Sequence, residues 1–112
     1  LEHLSDMDMA RELRIATVNP SAPAPSVEAI LHALLPYKFV DHTHTDALVT
    51  IMNTPSGRER VTDIYGDTVV VIPYVMPGFL LARLCYQEFP RQVNARTLGM
   101  VLMNHGLFTF AE

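Results

Sequence analysis

Thr68-Val69-Val70-Val71-Ile72 is an unbroken run of β-branched residues closed by Pro73. Branching at Cβ stiffens the side chain and favours extended backbone, so the run predicts a strand, and a proline with no N–H limits its continuation. It shows no polar alternation. A strand of this kind is buried on both faces, which calls for helical layers on either side of a sheet.

Working outward, Thr54-Pro55-Ser56-Gly57 is a turn by composition, and residues 58–65 form a short helix that Gly66 ends. Tyr74-Val75-Met76-Pro77-Gly78 is a loop, followed by a largely buried helix over 79–89 whose Arg83 and Gln87 form the only obvious polar ridge. Cys85 within it is a packing residue rather than a nucleophile. Residues 91–99 are polar and irregular or helical. Residues 100–103 are apolar and strand-like, Asn104-His105-Gly106 breaks the run, and 107–110 resumes it as a strand with nothing left to pair it.

Nearer the start, Ser5 is an N-cap for a helix over 6–16, with Asp6 and Asp8 in the first turn where the helix dipole favours negative charge. Met9, Leu13 and Ala16 share its inner face. Residues 17–25 are a proline-rich connector, either a flexible linker or a wall over the core. Its small alanines and its direct entry into a capped helix favour the ordered form. Ser26 caps that helix, in which Val27, Ile30, Leu31, Leu34 and Leu35 fall at i, i+3, i+4, i+7 and i+8 before Pro36 stops it. A short helix is also expected from Thr45 or Asp46 through Met52. Helices alternating with strands give an α/β layered domain.

Composition narrows the function. At 112 residues and 49% hydrophobic content the chain supports one core and not two ordinary domains. A net charge of −4 without charged blocks argues against nucleic acid or an anionic membrane surface as partner. A single cysteine excludes an internal disulfide and fits a reducing compartment. No apolar run approaches the roughly 18 residues of a membrane span, and no leader pattern opens the chain, so a cytoplasmic protein is expected. The opening on Leu1 and the apolar close before Glu112 suggest a piece of something longer.

The chemistry gathers around Asp41-His42-Thr43-His44-Thr45-Asp46, which follows the apolar Lys38-Phe39-Val40. On a strand, alternate side chains share a face, so His42 and His44 can reach one point, as two ligands of a metal ion must. His105 follows another apolar run. Gly106 beside it lets backbone come close, and Asn104 offers an amide for orienting a neighbour. The competing reading is a hydrogen-bonded histidine cluster in a tight turn. Asp41 or Asp46 could hold an imidazole tautomer or serve as cap or solvated charge. Glu28, four residues before His32, is either a helical pair partner or a carboxylate aimed into a site.

Pro25-Ser26-Val27-Glu28, His42-Thr43-His44, Pro73-Tyr74 with Pro77-Gly78, and Asn104-His105-Gly106-Leu107-Phe108 resemble, in order, the motifs of the class II aldolase/adducin family. The run from Leu31-His32-Ala33 through His44 most resembles its rhamnulose-1-phosphate aldolase branch, whose members are fused to a short-chain dehydrogenase. The resemblance implies a three-layer α/β/α domain, here truncated at both ends, with His42, His44 and His105 holding zinc. It implies Glu28 as the catalytic acid or base and Ser26 as a phosphate contact for a small sugar phosphate. The implied reaction is cleavage of a ketose 1-phosphate to dihydroxyacetone phosphate and an aldehyde.

Val27 departs from the serine common at that place in fuculose-phosphate relatives, and the interval from Glu28 to His42 is shorter than theirs. The resemblance further implies substrate loops before the matched stretch, a tyrosine from a neighbouring subunit beyond it, and a homo-oligomeric parent. The 112 residues are thus expected to hold the metal but only part of the pocket, and to show little or no aldolase activity alone. A phosphosugar epimerase uses the same fold and metal. An adducin-like binding module would have lost the histidines, and a cupin would lack the helix after Ser26.

Overall fold

The computed structural model describes residues 3–112. Its elements run α1 (Asp6–Ile15), α2 (Ala29–Leu34), β1 (Phe39–Thr43), α3 (Asp46–Met52), α4 (Gly57–Tyr65), a 3-10 turn (Gly66–Thr68), β2 (Val69–Ile72), α5 (Phe79–Gln92), β3 (Gly99–Leu102) and β4 (Gly106–Ala111). The four strands form one mixed sheet in the order β1-β4-β3-β2. β2 and β3 are parallel, and β4 is antiparallel to both β3 and β1.

The β-branched run is the buried strand expected: Val70 and Ile72 are sealed on one face and Val71 is buried on the other. Each face carries a helical layer. Leu31 and Leu35 with Leu81, Ala82, Cys85 and Phe89 of α5 pack on Val70, Ile72, Met100, Leu102 and Phe108. On the opposite face Leu48 and Met52 of α3 and Val61 of α4 meet Val71, Val101 and Met103. Fully burying each such aliphatic side chain is worth about 1.5–3 kcal/mol, so both layers bind firmly to the sheet. The result is the three-layer α/β/α arrangement.

Several local expectations change. Residues 107–110 do not lack a partner: β4 lies inside the sheet, with Phe108 opposite both His42 and Met100. The helix after the connector starts at Ala29, with Glu28 rather than Ser26 at its N-cap position, because residues 26–28 form a preceding turn in which Ala29 N–H reaches the Ser26 carbonyl at 3.0 Å. α5 is buried on one face only, with Leu80 and Tyr86 mostly exposed. It also runs through Pro90 to Gln92, since a proline in the last turn costs one backbone bond while Val93 N–H still reaches Phe89 O at 2.9 Å.

Ser5 caps α1 as expected, accepting from Asp8 N–H at 3.1 Å. Asp6 has a second duty: its Oδ1 accepts from Phe79 N–H at 2.9 Å and so caps α5 from across the fold. In the connector an Asn19–Ala22 turn closes at 3.0 Å and Arg14 reaches the Pro20 carbonyl at 3.3 Å, while most of its side chains stay exposed. At the free edge of β2, the Gln92 amide accepts from Val71 N–H at 3.0 Å and donates to Val71 O at 3.1 Å. Among the described residues no helix is long and apolar enough to cross a membrane.

Candidate metal centre

β1 delivers two imidazoles as its pleat dictates. His42 is the outward partner of Phe108 in the sheet register, and its ring stacks on the Phe108 ring at 4.2 Å and 16°. Its Nδ1 lies 3.0 Å from the Leu107 carbonyl. A carbonyl only accepts, so Nδ1 carries the proton and Nε2 is left with a lone pair facing away. His44, just past the strand end and exposed, points its own Nε2 at that of His42, 2.9 Å away. Two nitrogens this close, each about 2.0–2.1 Å from a common ion, would subtend roughly a right angle there.

His105 sits in the three-residue loop between β3 and β4, its N–H bonded to Leu102 O at 3.1 Å. The ring centroid is 5.2 Å from that of His42 and 4.9 Å from that of His44. Gly106 makes the approach possible. A Cβ there would stand 2.6 Å from Thr43 O, 2.8 Å from His44 Cδ2 and 3.1 Å from His42 Cε1. The fourth member is Glu28, whose Oε1 lies 3.4 Å from His105 Nε2. One donor atom from each of Glu28, His42, His44 and His105 falls within 4.8 Å of all the others.

Burial is the main force holding the His42 and His105 pKa values below the ordinary imidazole value; neighbouring histidines add to it, Glu28 opposes it at both rings and the Leu107 carbonyl opposes it at His42. The neutral ring that results is the ligating form. Three imidazole nitrogens and a carboxylate oxygen, all within 4.8 Å of one another, make a donor set that fits a divalent cation, and in its absence the 2.9 Å His42–His44 contact serves as a hydrogen bond.

The other sequence candidates fall into place unequally. Ser26 is exposed. Its hydroxyl accepts from Glu28 N–H at 3.2 Å and donates to Glu28 Oε2. Glu28 does not pair with His32, which instead sets its edge against Phe108 at 5.3 Å. Asp41 and Asp46 are exposed. The Leu107 carbonyl, a backbone atom with no side-chain signature, orients His42 in their stead.

Residues 2–112 match the family described as Class II Aldolase and Adducin N-terminal domain. The chain belongs to that family. Among solved structures, the N-terminal class II aldolase domain of a conserved protein from Thermoplasma acidophilum is 44% identical, with a TM-score of 0.81 over 97% of this chain and 49% of that one. An aldolase II superfamily protein from Pseudomonas syringae, 18% identical with a TM-score of 0.59 over 83% of this chain and 40% of its own, shares the fold. The uncharacterized oxidoreductase YuxG of Bacillus subtilis (strain 168) is 39% identical over 99% of this chain, which spans 16% of YuxG. This class II aldolase and adducin domain therefore corresponds to about half the length of one relative and about a sixth of another.

Proposed function

We propose that this class II aldolase domain holds zinc and, as part of its full-length protein, cleaves a ketose 1-phosphate of the rhamnulose 1-phosphate type, giving dihydroxyacetone phosphate and an aldehyde. The observation that carries the reading is the convergence of Glu28 with His42, His44 and His105 within 4.8 Å. The chemistry zinc supplies in such a site is Lewis-acid stabilisation of negative charge that develops as a carbon–carbon bond beside a carbonyl breaks. His42, His44 and His105 are its ligands in this reading. Glu28 is the general acid and base, taking a proton from a substrate hydroxyl and returning one to carbon. Its Oε2 is engaged by the Ser26 hydroxyl, and its Oε1, 3.4 Å from His105 Nε2, is the oxygen that faces the histidines. Ser26, exposed beside it, is the phosphate contact.

The name of YuxG, an uncharacterized oxidoreductase, supports a larger arrangement in which an aldolase domain and an oxidoreductase share one polypeptide. The reading includes a cytoplasmic location, a homo-oligomeric full-length protein and a sugar-phosphate substrate, with neither nucleic acid nor membrane as partner at a net charge of −4. Metal analysis of the purified chain tests the centre. Zinc is expected near one equivalent in the parent and strongly reduced in His42→Ala and His105→Ala; undiminished zinc in both variants would sink the assignment. Ketose 1-phosphate cleavage by the full-length protein then separates an aldolase from an epimerase.

A further inference from the structure

His42 and His105 are oriented by different means. The Leu107 carbonyl fixes the ring of His42 through Nδ1, but Nδ1 of His105 is buried without a hydrogen-bond partner. No hydrogen bond at Nδ1 sets the direction of the His105 ring, so the backbone that carries it has the larger share in its placement. That backbone is unusual one residue earlier. Asn104 has φ +58°, the only positive φ outside glycine among the described residues. Asparagine is among the few residues that tolerate this left-handed region.

The Asn104 side chain is also engaged. Its Nδ2 donates to Asn53 Oδ1 at 2.7 Å and lies 3.5 Å from the Met52 carbonyl, at the C-terminal end of α3. The N-terminal end of α3 follows directly on His44, with Thr45 as its N-cap residue. α3 is thus a strut about 10 Å long between the two sequence segments that supply the imidazoles. Leu48 and Met52 pin it to the sheet in the same apolar cluster as Met103, the residue before Asn104.

We propose that Asn104 is a positioning residue: by gripping Asn53 at the end of α3 it fixes the turn that presents His105 to His42 and His44. The proposal rests on the metal-centre reading for its use, and on the hydrogen bonds alone for its existence. Two variants separate its parts. Asn53→Ala removes the acceptor and leaves residue 104 unchanged. Asn104→Gly keeps the left-handed backbone accessible and removes the amide.

Two measurements on the full chain test it. Without metal, the His105 amide and ring resonances are followed by 15N NMR. With cobalt(II) as probe, affinity and the ligand-field spectrum are recorded. Both variants are expected to move the His105 resonances and to weaken cobalt binding by roughly 10- to 100-fold, as loss of a group that orients a ligand does. The double variant is expected to be no weaker than Asn104→Gly alone, since the two residues act as one unit. Unmoved His105 resonances in Asn53→Ala, or losses that simply multiply in the double variant, would overturn the proposal. If the parent binds no cobalt while the His105 resonances still move, the metal reading fails and the Asn53–Asn104 latch stands.

Discussion

Two walls meet at the candidate centre, and they are built differently. One is strand-borne: His42 is stacked on fully buried Phe108, bonded to a backbone carbonyl and set in register with β4. The other is turn-borne: Glu28 lies at the N-cap position of a six-residue helix, and its side chain is held by Ser26 two residues away and faces His105 at 3.4 Å. That distance exceeds an ordinary charge-assisted hydrogen bond of about 2.7–2.9 Å. The difference suits a division of labour in which ligands stay fixed while a proton-carrying group keeps some freedom.

The sharpest way to break the comparison is Glu28→Gln. Turnover of ketose 1-phosphate by the full-length protein is expected to fall by about 10²- to 10⁴-fold while bound zinc, measured by elemental analysis, is retained. Loss of the metal instead would place Glu28 on the same footing as the histidines.

Gly106→Ala strikes the strand-borne wall. The new Cβ would meet the Thr43 carbonyl at 2.6 Å, and backbone cannot yield as a side chain does. A destabilisation of about 1–3 kcal/mol is expected from such overpacking, with weakened zinc binding, in thermal unfolding and metal titration. Unchanged stability would mean that β1 and β4 are not clamped together at this point.

Cys85 reports on the support behind the turn-borne wall, because it is buried in the cluster that joins α5 to Leu31 and Leu35. Burial pushes its thiol up to about 12. The native state therefore binds the proton more tightly than the unfolded chain. This contribution to stability is complete below the ordinary thiol range and is lost as pH rises from about 9 towards 12. Alkylation by iodoacetamide at pH 8 is expected to be slow in the parent and near the unfolded rate in urea. Fast alkylation without denaturant would show that the layer under Glu28 opens readily.

Much of the fold and of the strand-borne wall is legible in the amino-acid sequence. The pleat alone puts His42 and His44 on one side, and the run at Thr68 through Ile72 calls for helices on both faces, because both signals are local periodicities. What depends on distant pairing is silent there. Nothing in residues 107–110 says that they lie between β1 and β3, and a carbonyl that orients His42 has no residue type to betray it. The start of α2 falls later than its pattern suggests, because Ser26 spends its hydroxyl on a turn that looks, in sequence, like a cap. Glu28 and His105 are brought together by that turn and that pairing. Only the family resemblance assigns both of them to one site.

The Gln92 amide on β2 sets where the sheet ends. One edge of a primary amide presents an N–H donor and a carbonyl acceptor side by side in a plane, the same pattern that one strand residue presents to its neighbour, and here it occupies both outward-facing groups of Val71. Helix α5 thereby lends the sheet a single rung of a strand that the described residues do not contain. Any extended segment that pairs with this side of β2 must first displace Gln92, so this edge of the sheet carries its own competitor to strand addition.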